Sequence, residues 1–284
     1  FTFRYDQAKS QGQYKNQATN NNLVTIYSNY NRDNLRIHGG FITNSIKNDE
    51  NGGLTEDTRI FSDADTDFLN VNLTSTRSEF GSTYFFTTGE YRLGKYIEAD
   101  IEDGGEEEEE LPEIFKPVAG IIYSFEYQNH SKEFINEEDT TNTFFPNNYF
   151  GHDYVKDSVR FRKITNTFQI KQYEDPYRKT SFGKRAFIGF ESVKASSPGP
   201  AGAPSYRNEL TYSNIYAGGG IFRQMGSFWK WNAGGRIFLL GRNTGQTELS
   251  ARVSKPFVLF GDSTASFNIK GKIEGTVTDI VHDS

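Results

Sequence analysis

Three aspartates at alternate positions, Asp63, Asp65 and Asp67, have the clearest metal-ligand spacing in this chain. Carboxylates spaced in this way open a calcium loop, which in its EF-hand form also needs glycine at the sixth position and glutamate at the twelfth. Phe68 and Thr74 stand at those two positions, so the EF-hand form is excluded. A looser calcium site and a solvated acidic loop are the two interpretations left open.

The side chains that enzymes use as bases and nucleophiles are scattered along the chain. His38, His130, His152 and His282 share no ligand spacing, cysteine is missing, and no Gly-x-Ser-x-Gly sequence occurs. We therefore predict no enzymatic activity and no cofactor. Basic residues form no continuous stripe and the isoelectric point is near 5.4, so we also predict that nucleic acid is not a partner.

The net charge of −6 conceals acidic loops on a basic framework. Residues 47–67 hold seven acidic and two basic residues, and residues 95–116 hold ten acidic and two basic ones. Residues 157–195 reverse this balance, with nine basic residues against four acidic ones. We expect Glu106–Glu110 to lie in a solvated, mobile insert over residues 95–115, since runs of like charge repel each other. Binding of cations or of a basic partner is the alternative for this run.

The stretch from Arg207 to Gly241 predicts the kind of secondary structure that carries the charged residues, namely β-strands. After a break at residues 225–227, apolar and polar side chains alternate with period two, which is typical of a β-strand with two different faces. Each limb has about the length that crosses a bilayer at a tilt. The pattern predicts a transmembrane hairpin in which Trp229 and Trp231 join an interfacial aromatic girdle and Arg236 faces the lumen. The two sets are Trp229, Trp231, Ala233, Ile237 and Leu239 on one face, and Lys230, Asn232 and Arg236 on the other.

Similar stretches along the chain predict about eleven antiparallel strands. The mean hydropathy of −0.68 fits a wall with a wet interior, because only every second residue needs to be apolar. If residues 68–75 belong to a loop, long and short connections alternate as in outer-membrane barrels, with the acidic insert as the exception. The predicted fold is all-β, an antiparallel transmembrane β-barrel. Because single-chain bacterial barrels have even strand numbers, we expect residues 1–284 to be a segment of a larger barrel domain.

Charges on such a wall must avoid lipid at mid-depth, where a Lys or Arg costs about 2–4 kcal/mol. They are therefore expected to face the lumen or to lie at the rims of the wall. Arg160, Arg162 and Arg185, together with Arg236, are candidates for a lumen that favours anions. Phe168 and Ile170 share the parity of Arg160 and Arg162, so this facing requires a bulge in the strand. The alternative is that these charges only balance the acidic loops.

A second candidate region lies in the longest predicted loop, residues 44–81. Gly52 and Gly53 allow positive φ and close approach of the backbone. One interpretation is that the part of the loop around these glycines folds into the lumen and narrows it. The other is that it is an ordinary, flexible loop tip exposed to solvent. The residues of the candidate constriction are Asp49, Glu50, Asn51, Gly52 and Gly53.

Four stretches carry a family resemblance: residues 3–16 (FRYDQAKSQGQYKN), 48–54 (NDENGGL), 157–168 (DSVRFRKITNTF) and 217–241, where glycines precede Trp-x-Trp. They resemble the putative porin family of the Bacteroidota outer membrane, over nearly the whole chain. The resemblance implies a barrel in contact with outer-membrane lipid of a Gram-negative bacterium. The expected function is a channel for passive diffusion of small hydrophilic solutes or ions. The alternative is a plugged structural barrel, held in a complex with other envelope proteins.

Overall fold

The computed structural model describes residues 1–55, 69–98, 113–138, 144, 155–175, 178, 180–198, 207–225, 229–257 and 265–276. These residues form one sheet of eleven antiparallel strands, in which each strand pairs with its neighbours in sequence. Within these ranges there is no helix that is long and apolar enough to cross a membrane. The strands are β1 Thr2–Ser10, β2 Thr19–Arg32, β3 Leu35–Asp49, β4 Thr76–Glu98, β5 Glu113–Asn136, β6 Val155–Gln172, β7 Gly183–Pro198, β8 Arg207–Arg223, β9 Lys230–Gly241, β10 Thr247–Pro256 and β11 Ser266–Gly275.

The predicted all-β antiparallel fold with about eleven strands is confirmed. β3 pairs directly with β4, and among the described residues between them Leu54 and Val71 form an isolated bridge outside the strands, so residues 69–75 belong to a loop. The connections therefore fall at two ends of the sheet. The long-loop end has the connections at 11–18, 50–75, 137–154, 199–206 and 242–246, and the short-turn end has those at 33–34, 99–112, 173–182, 224–229 and 257–265.

The register divides the side chains between two faces, because directly paired residues of antiparallel strands point to the same side. One row of paired residues runs through Tyr123, Phe168, Ile188, Ala217 and Ile237. We call its side of the sheet the outer face and the opposite side the inner face. Large apolar side chains of the outer face are exposed on all eleven strands, as with Phe3, Tyr30, Ile37, Phe85, Tyr123, Ile170, Ile188, Ile221, Ile237, Leu249 and Ile269.

These outer side chains form a band of limited height. It covers residues 35–43 on β3, 85–93 on β4 and 119–127 on β5. Each of these segments is about the 9–11 residues that a tilted strand needs to cross a bilayer. The outer face therefore has the shape of a lipid-facing belt, and the inner face is the side on which polar groups meet water.

Several strands continue past this band at the long-loop end, farther than the sequence predicted. β4 already begins at Thr76 and β5 ends only at Asn136. As a result, residues 44–49 and 76–81 of the predicted long loop are paired in strands. At the opposite, short-turn end, residues 95–98 and 113–115 of the predicted insert are also paired in strands. The extensions at the long-loop end are mostly polar, and their few apolar residues, such as Ile46 and Phe80, form no regular alternation by which a strand is recognised.

Aromatic rings cover glycines on the inner face. Tyr216 pairs directly with Gly189 and Phe222 with Gly183, and in both cases a Cβ on the glycine would overlap the ring. Phe187 over Gly218 and Phe86 over Gly40 repeat the arrangement. Such pairs let a ring lie flat on the strand beside it, which restores packing at a residue that has no side chain.

Replacing Gly189 with alanine should destabilise the folded wall by about 1–3 kcal/mol, because the new methyl group overlaps the Tyr216 ring. That ring has little room to move, since it is only 5% exposed and its hydroxyl bonds to Thr167 Oγ1 at 2.7 Å. The measurement is urea unfolding of the refolded protein. Gly89→Ala is the matched control, because a Cβ there meets no atom within 4 Å. Equal stability of the two variants would contradict the prediction.

Candidate functional site

The inner face from β6 to β11 is rich in positive charge. The register assigns eight Lys and Arg residues to it against four Asp and Glu, an excess of four positive charges. The basic residues are Lys163, Lys171, Arg185, Lys230, Arg236, Arg252, Lys270 and Lys272, and the acidic ones are Asp157, Glu191, Glu248 and Glu274.

Some of these cations are fixed by buried carboxylates. Glu191 is 3% exposed, and its two oxygens lie 2.7 Å from Lys163 Nζ and 2.8 Å from Asn214 Nδ2. The Asn214 oxygen accepts the amide of Asn243 at 2.9 Å, which ties this network to the β9–β10 turn. Lys163 therefore neutralises an acid and contributes little free charge to the inner face.

A second buried carboxylate, Glu90, joins three strands. It lies 3.8 Å from Arg36 Nη1 and 3.9 Å from Lys171 Nζ, and it accepts a hydrogen bond from the Tyr173 hydroxyl. Lys171 Nζ also lies 4.4 Å from the centre of the Tyr173 ring. Gly120 permits this approach, because a Cβ at that position would be 3.2 Å from the Tyr173 hydroxyl. Lys171 is thus held in place by a single acid that it shares with Arg36.

Arg185 lies on a floor made of glycine. A Cβ at Gly220 would be 3.2 Å from Arg185 Nε, and one at Gly234 would be 3.6 Å from its Nη2. A cavity of about 320 Å³ opens beside the guanidinium, with Gln169 and Ser250 in its lining. In the described part of the chain no carboxylate lies within 4.0 Å of Arg185, and the same holds for the paired residues Arg252 and Lys270.

Arg236 is more constrained than Arg185. Its Nε and Nη2 donate to one oxygen of Glu248 at 3.1 and 2.8 Å, and its guanidinium lies over the rings of Tyr216 and Phe238. Lys272 approaches the other oxygen of Glu248 at 3.6 Å. Lys272 also pairs with Glu274, so Arg236, Lys272, Glu248 and Glu274 together carry no net charge, and Arg236 is fixed beside the cavity as part of this network.

At the long-loop end, Asn16 joins the β1–β2 connection to the β3–β4 connection. This residue has a positive φ of 51°, and its side-chain amide donates to the carbonyls of Glu50 at 2.8 Å and Leu73 at 3.2 Å. Asn51 Nδ2 in turn donates to the Lys15 carbonyl at 3.3 Å. Leu73 is only 3% exposed, so this end has a small apolar core of its own. We call residues 15–16, 50–55, 69–76 and 136–138 the loop cluster.

A family model described as a putative porin matches residues 1–282. The chain belongs to this porin family. No curated protein matches it. Membership makes the protein a porin-like channel of a bacterial outer membrane, and the family is one of channel proteins rather than of enzymes. It also accounts for the two faces of the sheet, since a barrel wall meets lipid outside and polar solutes inside.

Within this porin, Glu138 fastens the loop cluster to β5. Its carboxylate accepts the Thr74 amide at 2.5 Å, the Ser75 amide, and the Thr76 hydroxyl at 3.3 Å. Burial opposes ionisation of Glu138, but these hydrogen bonds outweigh it and lower the pKa below the usual 4.5. The charged carboxylate is therefore the form that stabilises the closed cluster.

Acid should open the loop cluster. Because the pKa of Glu138 is lowered in the folded protein, its contribution is complete above about pH 4.5 and is lost as the pH falls through the lowered value. The measurement is hydrogen exchange of residues 70–76, corrected for the intrinsic rate. Glu138→Gln should already exchange faster at pH 7 and lose the acid response. Glu137→Gln, which removes only an exposed pair with Arg77, is the control. Equal protection of the wild type at pH 3 and pH 7 would contradict the prediction.

The structure places the predicted lumen residues on different faces. Arg185 and Arg236 lie on the inner face, and their role in a lumen stays a prediction. Arg160 and Arg162 do not, because β6 pairs with β5 and β7 without any register shift and the predicted bulge does not occur. Both arginines share the outer face with Phe168 and Ile170, past the end of the apolar band. The expectation of a lumen role for these two residues is therefore corrected.

The aromatic, constriction and calcium candidates lie in three different parts of the chain. Trp229 and Trp231 lie at the short-turn end of the outer face, where an aromatic girdle is expected. Asp49–Gly53 lead into and form part of the loop cluster, and a constriction there stays a prediction. The calcium candidates Asp63, Asp65 and Asp67, and the run Glu106–Glu110, lie outside the described residues. Within the described ranges no three His, Asp or Glu residues come together as a metal site.

The loop cluster and the inner-face cations Arg252 and Lys270 were not found from the sequence. Asn16 and Glu138 are ordinary polar residues of predicted loops, and only the folded chain brings them to residues 50 and 74. The two stretches that carry the family resemblance, 3–16 and 48–54, meet there. For Arg252 and Lys270, alternation of the short strands β10 and β11 is the signal that assigns them to the inner face.

Proposed function

We propose that this chain forms the wall of a channel for passive diffusion of small hydrophilic solutes or ions across the outer membrane. The observation that carries the proposal is the contrast between the faces of the same strands. The outer face has an apolar band of bilayer height, and the inner face has charged and hydrogen-bonding side chains. A wall of this kind separates lipid from a polar passage.

The inner cations favour anions among these solutes. Arg185, Arg252 and Lys270 have no carboxylate partner in the described ranges, so their charge is available to a passing ion. Fixed cations in a narrow, weakly screened passage raise the local concentration of anions. Glu191 and Glu90 do not cancel this effect, because each is already paired with Lys or Arg.

The loop cluster narrows the mouth of this channel. It joins three of the long connections, and Asn51, Gly52 and Gly53 pair with residues 70–73 within it. The positive φ values of Gly52 and Gly53 permit this tight path. A rigid loop cluster sets the size of the largest solute that passes.

Conductance of the purified full-length protein in a planar lipid bilayer tests the proposal. Discrete, ohmic current steps are expected, and Glu138→Gln should enlarge or destabilise them by loosening the loop cluster. The second candidate is a plugged structural barrel within a complex of envelope proteins, which the packed core around Leu73 favours. A protein that inserts, stays silent in both forms and co-purifies with partners would overturn the channel in favour of that candidate.

A further inference from the structure

The cavity of about 320 Å³ on the inner face lies above glycines of β8 and β9, and we call it the glycine cavity. Its floor is backbone, because Gly219 pairs there with Gly235 and Gly220 pairs with Gly234. A glycine has no side chain, so other groups can lie close to the two strands. The volume is near the lower end of the range for ligand sites, about 300–1,000 Å³, and therefore suits a small solute.

Arg185 lies along the floor of the glycine cavity. Its Nε and Nη2 are so close to Gly220 and Gly234 that a Cβ on these glycines would be 3.2 and 3.6 Å away, so the side chain crosses from β7 over both strands. Within the described ranges its guanidinium forms no ion pair and no hydrogen bond. The glycines therefore hold a planar fork of N–H donors at the cavity, and no group of the described wall occupies these donors.

The charged residues of the lining leave one positive charge over. Arg236 and Glu248 both line the cavity and neutralise each other, with Nη2 and a carboxylate oxygen 2.8 Å apart. The second oxygen of Glu248 lies 3.6 Å from Lys272, which also pairs with Glu274. Glu248 is therefore occupied, and the charge of Arg185 is not compensated. A lining of this kind matches a solute with a single negative charge.

Another part of the lining is apolar. The half-buried ring of Phe187 covers Gly218, where a Cβ would be 2.4 Å from the ring. An edge contact with Tyr216, with 6.2 Å between the ring centres, holds this ring in place. Gln169 and Ser250 add uncharged hydrogen-bonding groups to the lining. A solute with one anionic end and an apolar body therefore finds a partner for each of its parts.

We propose that the glycine cavity binds a small organic monocarboxylate on its way through the channel. The carboxylate accepts two N–H bonds from the Arg185 guanidinium, whose planar fork matches its geometry. The apolar body of the solute packs against the Phe187 ring. A phosphate monoester fits less well, because its charge of about −1.5 to −2 needs a second free cation in the lining. The inference rests on the proposed function, since it names the class of solute that the channel takes up.

Binding is measured on the full-length protein in detergent, so that the result does not depend on conduction. The probe is para-fluorobenzoate, and the broadening of its fluorine NMR signal is followed as protein is added. The neutral para-fluorobenzamide has the same shape, and para-fluorophenyl phosphate carries the higher charge. The benzoate should bind roughly tenfold more tightly than the benzamide, and more tightly than the phosphate.

Arg185→Gln should weaken binding of para-fluorobenzoate roughly tenfold, to the level of the benzamide. The variant should fold like the wild type, because Arg185 has no partner to lose, and heat-resistant migration on a gel checks this. Lys230→Gln is the matched control, since it removes the same charge from the inner face of β9 outside the cavity lining. It should bind the benzoate as the wild type does.

Three results would overturn the proposal. They are equal binding of the benzoate and the benzamide by the wild type, tighter binding of the phosphate, and equal losses of affinity in Arg185→Gln and Lys230→Gln. Bilayer currents keep this inference apart from the channel itself. In a conducting protein para-fluorobenzoate should lower the chloride current to a plateau, and Arg185→Gln should abolish this block. A silent protein that binds the benzoate would refute the channel and support the site, whereas a conducting protein that binds no benzoate would refute the site alone.

Discussion

Replacing Ile188 with arginine should weaken insertion of this porin by about 2–4 kcal/mol. Ile188 is 51% exposed on the outer face, in the middle of the apolar segment of β7, with Phe168 and Ala217 as its direct neighbours. A guanidinium there would be desolvated among acyl chains, with no carboxylate on its row. The measurement is the urea dependence of refolding into vesicles, followed by the heat-resistant migration of the barrel.

Gln169→Arg is the matched control for Ile188→Arg. Gln169 lies on β6 in the adjacent row, pairs with Phe187 and points to the inner face, so the same charge meets water there. Ile237→Arg should behave like Ile188→Arg, since both positions lie on one row of pairs. Arg236→Ala should leave insertion intact, because Glu248 keeps Lys272 as a partner. Equal losses for Ile188→Arg and Gln169→Arg would mean that the two faces are wrongly assigned.

The faces of β9 could be predicted from sequence because its pattern is strong. Trp231 and Ile237 alternate with Asn232 and Arg236, and a period of two leaves little freedom. The β-bulge opposite Ile215 could not be predicted. It removes Leu239 from the pairing, so that Leu239 and Leu240 are both exposed while Phe238 is buried on the inner face. One extra residue in a strand reverses the faces to which the following side chains point, and the amino-acid composition of the strand does not reveal it.

For Arg160 and Arg162, the face of the sheet was wrongly predicted from the sequence. The sequence offered two solutions, a bulge that keeps them inside or a regular strand that puts them outside. Wall charges could face the lumen or lie at the rims, and only the lumen position of these two arginines required the bulge. The strands extend past the bilayer at the long-loop end, however, so the outer face can hold charge there at little cost. Arg160 meets Glu133 on such an extension.

The loop cluster could not be predicted for a different reason. Asn16 bonds to the carbonyl of Glu50, and Glu138 bonds to the amide of Thr74, across separations that no local pattern records. In the sequence, polar side chains that hydrogen-bond to backbone groups of other loops look the same as polar side chains that are exposed to solvent. Only the double glycine at Gly52 and Gly53 indicated a special path in this region.

Neutralising three inner cations should reduce the preference of the channel for anions by a factor on the order of 2–10. The variant is R185Q/R252Q/K270Q. None of these residues has a carboxylate partner in the described ranges, so the change removes free charge and leaves the ion pairs of Glu90, Glu191 and Glu248 in place. Glutamine retains most of the side-chain length, and the glycine floor under Arg185 accepts it without overlap.

The measurement for R185Q/R252Q/K270Q is the reversal potential of the full-length channel under a tenfold potassium chloride gradient. The wild type should reverse toward the chloride equilibrium potential and the variant toward zero. Screening acts over about 10 Å at 0.1 M salt, so the difference should grow as the mean salt concentration is lowered. The outer-face triple R160Q/R162Q/K194Q carries the same charge change and should reverse where the wild type does. Cation preference in the wild type would show that the inner cations do not select anions. Equal shifts of the reversal potential in the two triple variants would show the same, because a long-range effect of net charge would then explain both shifts.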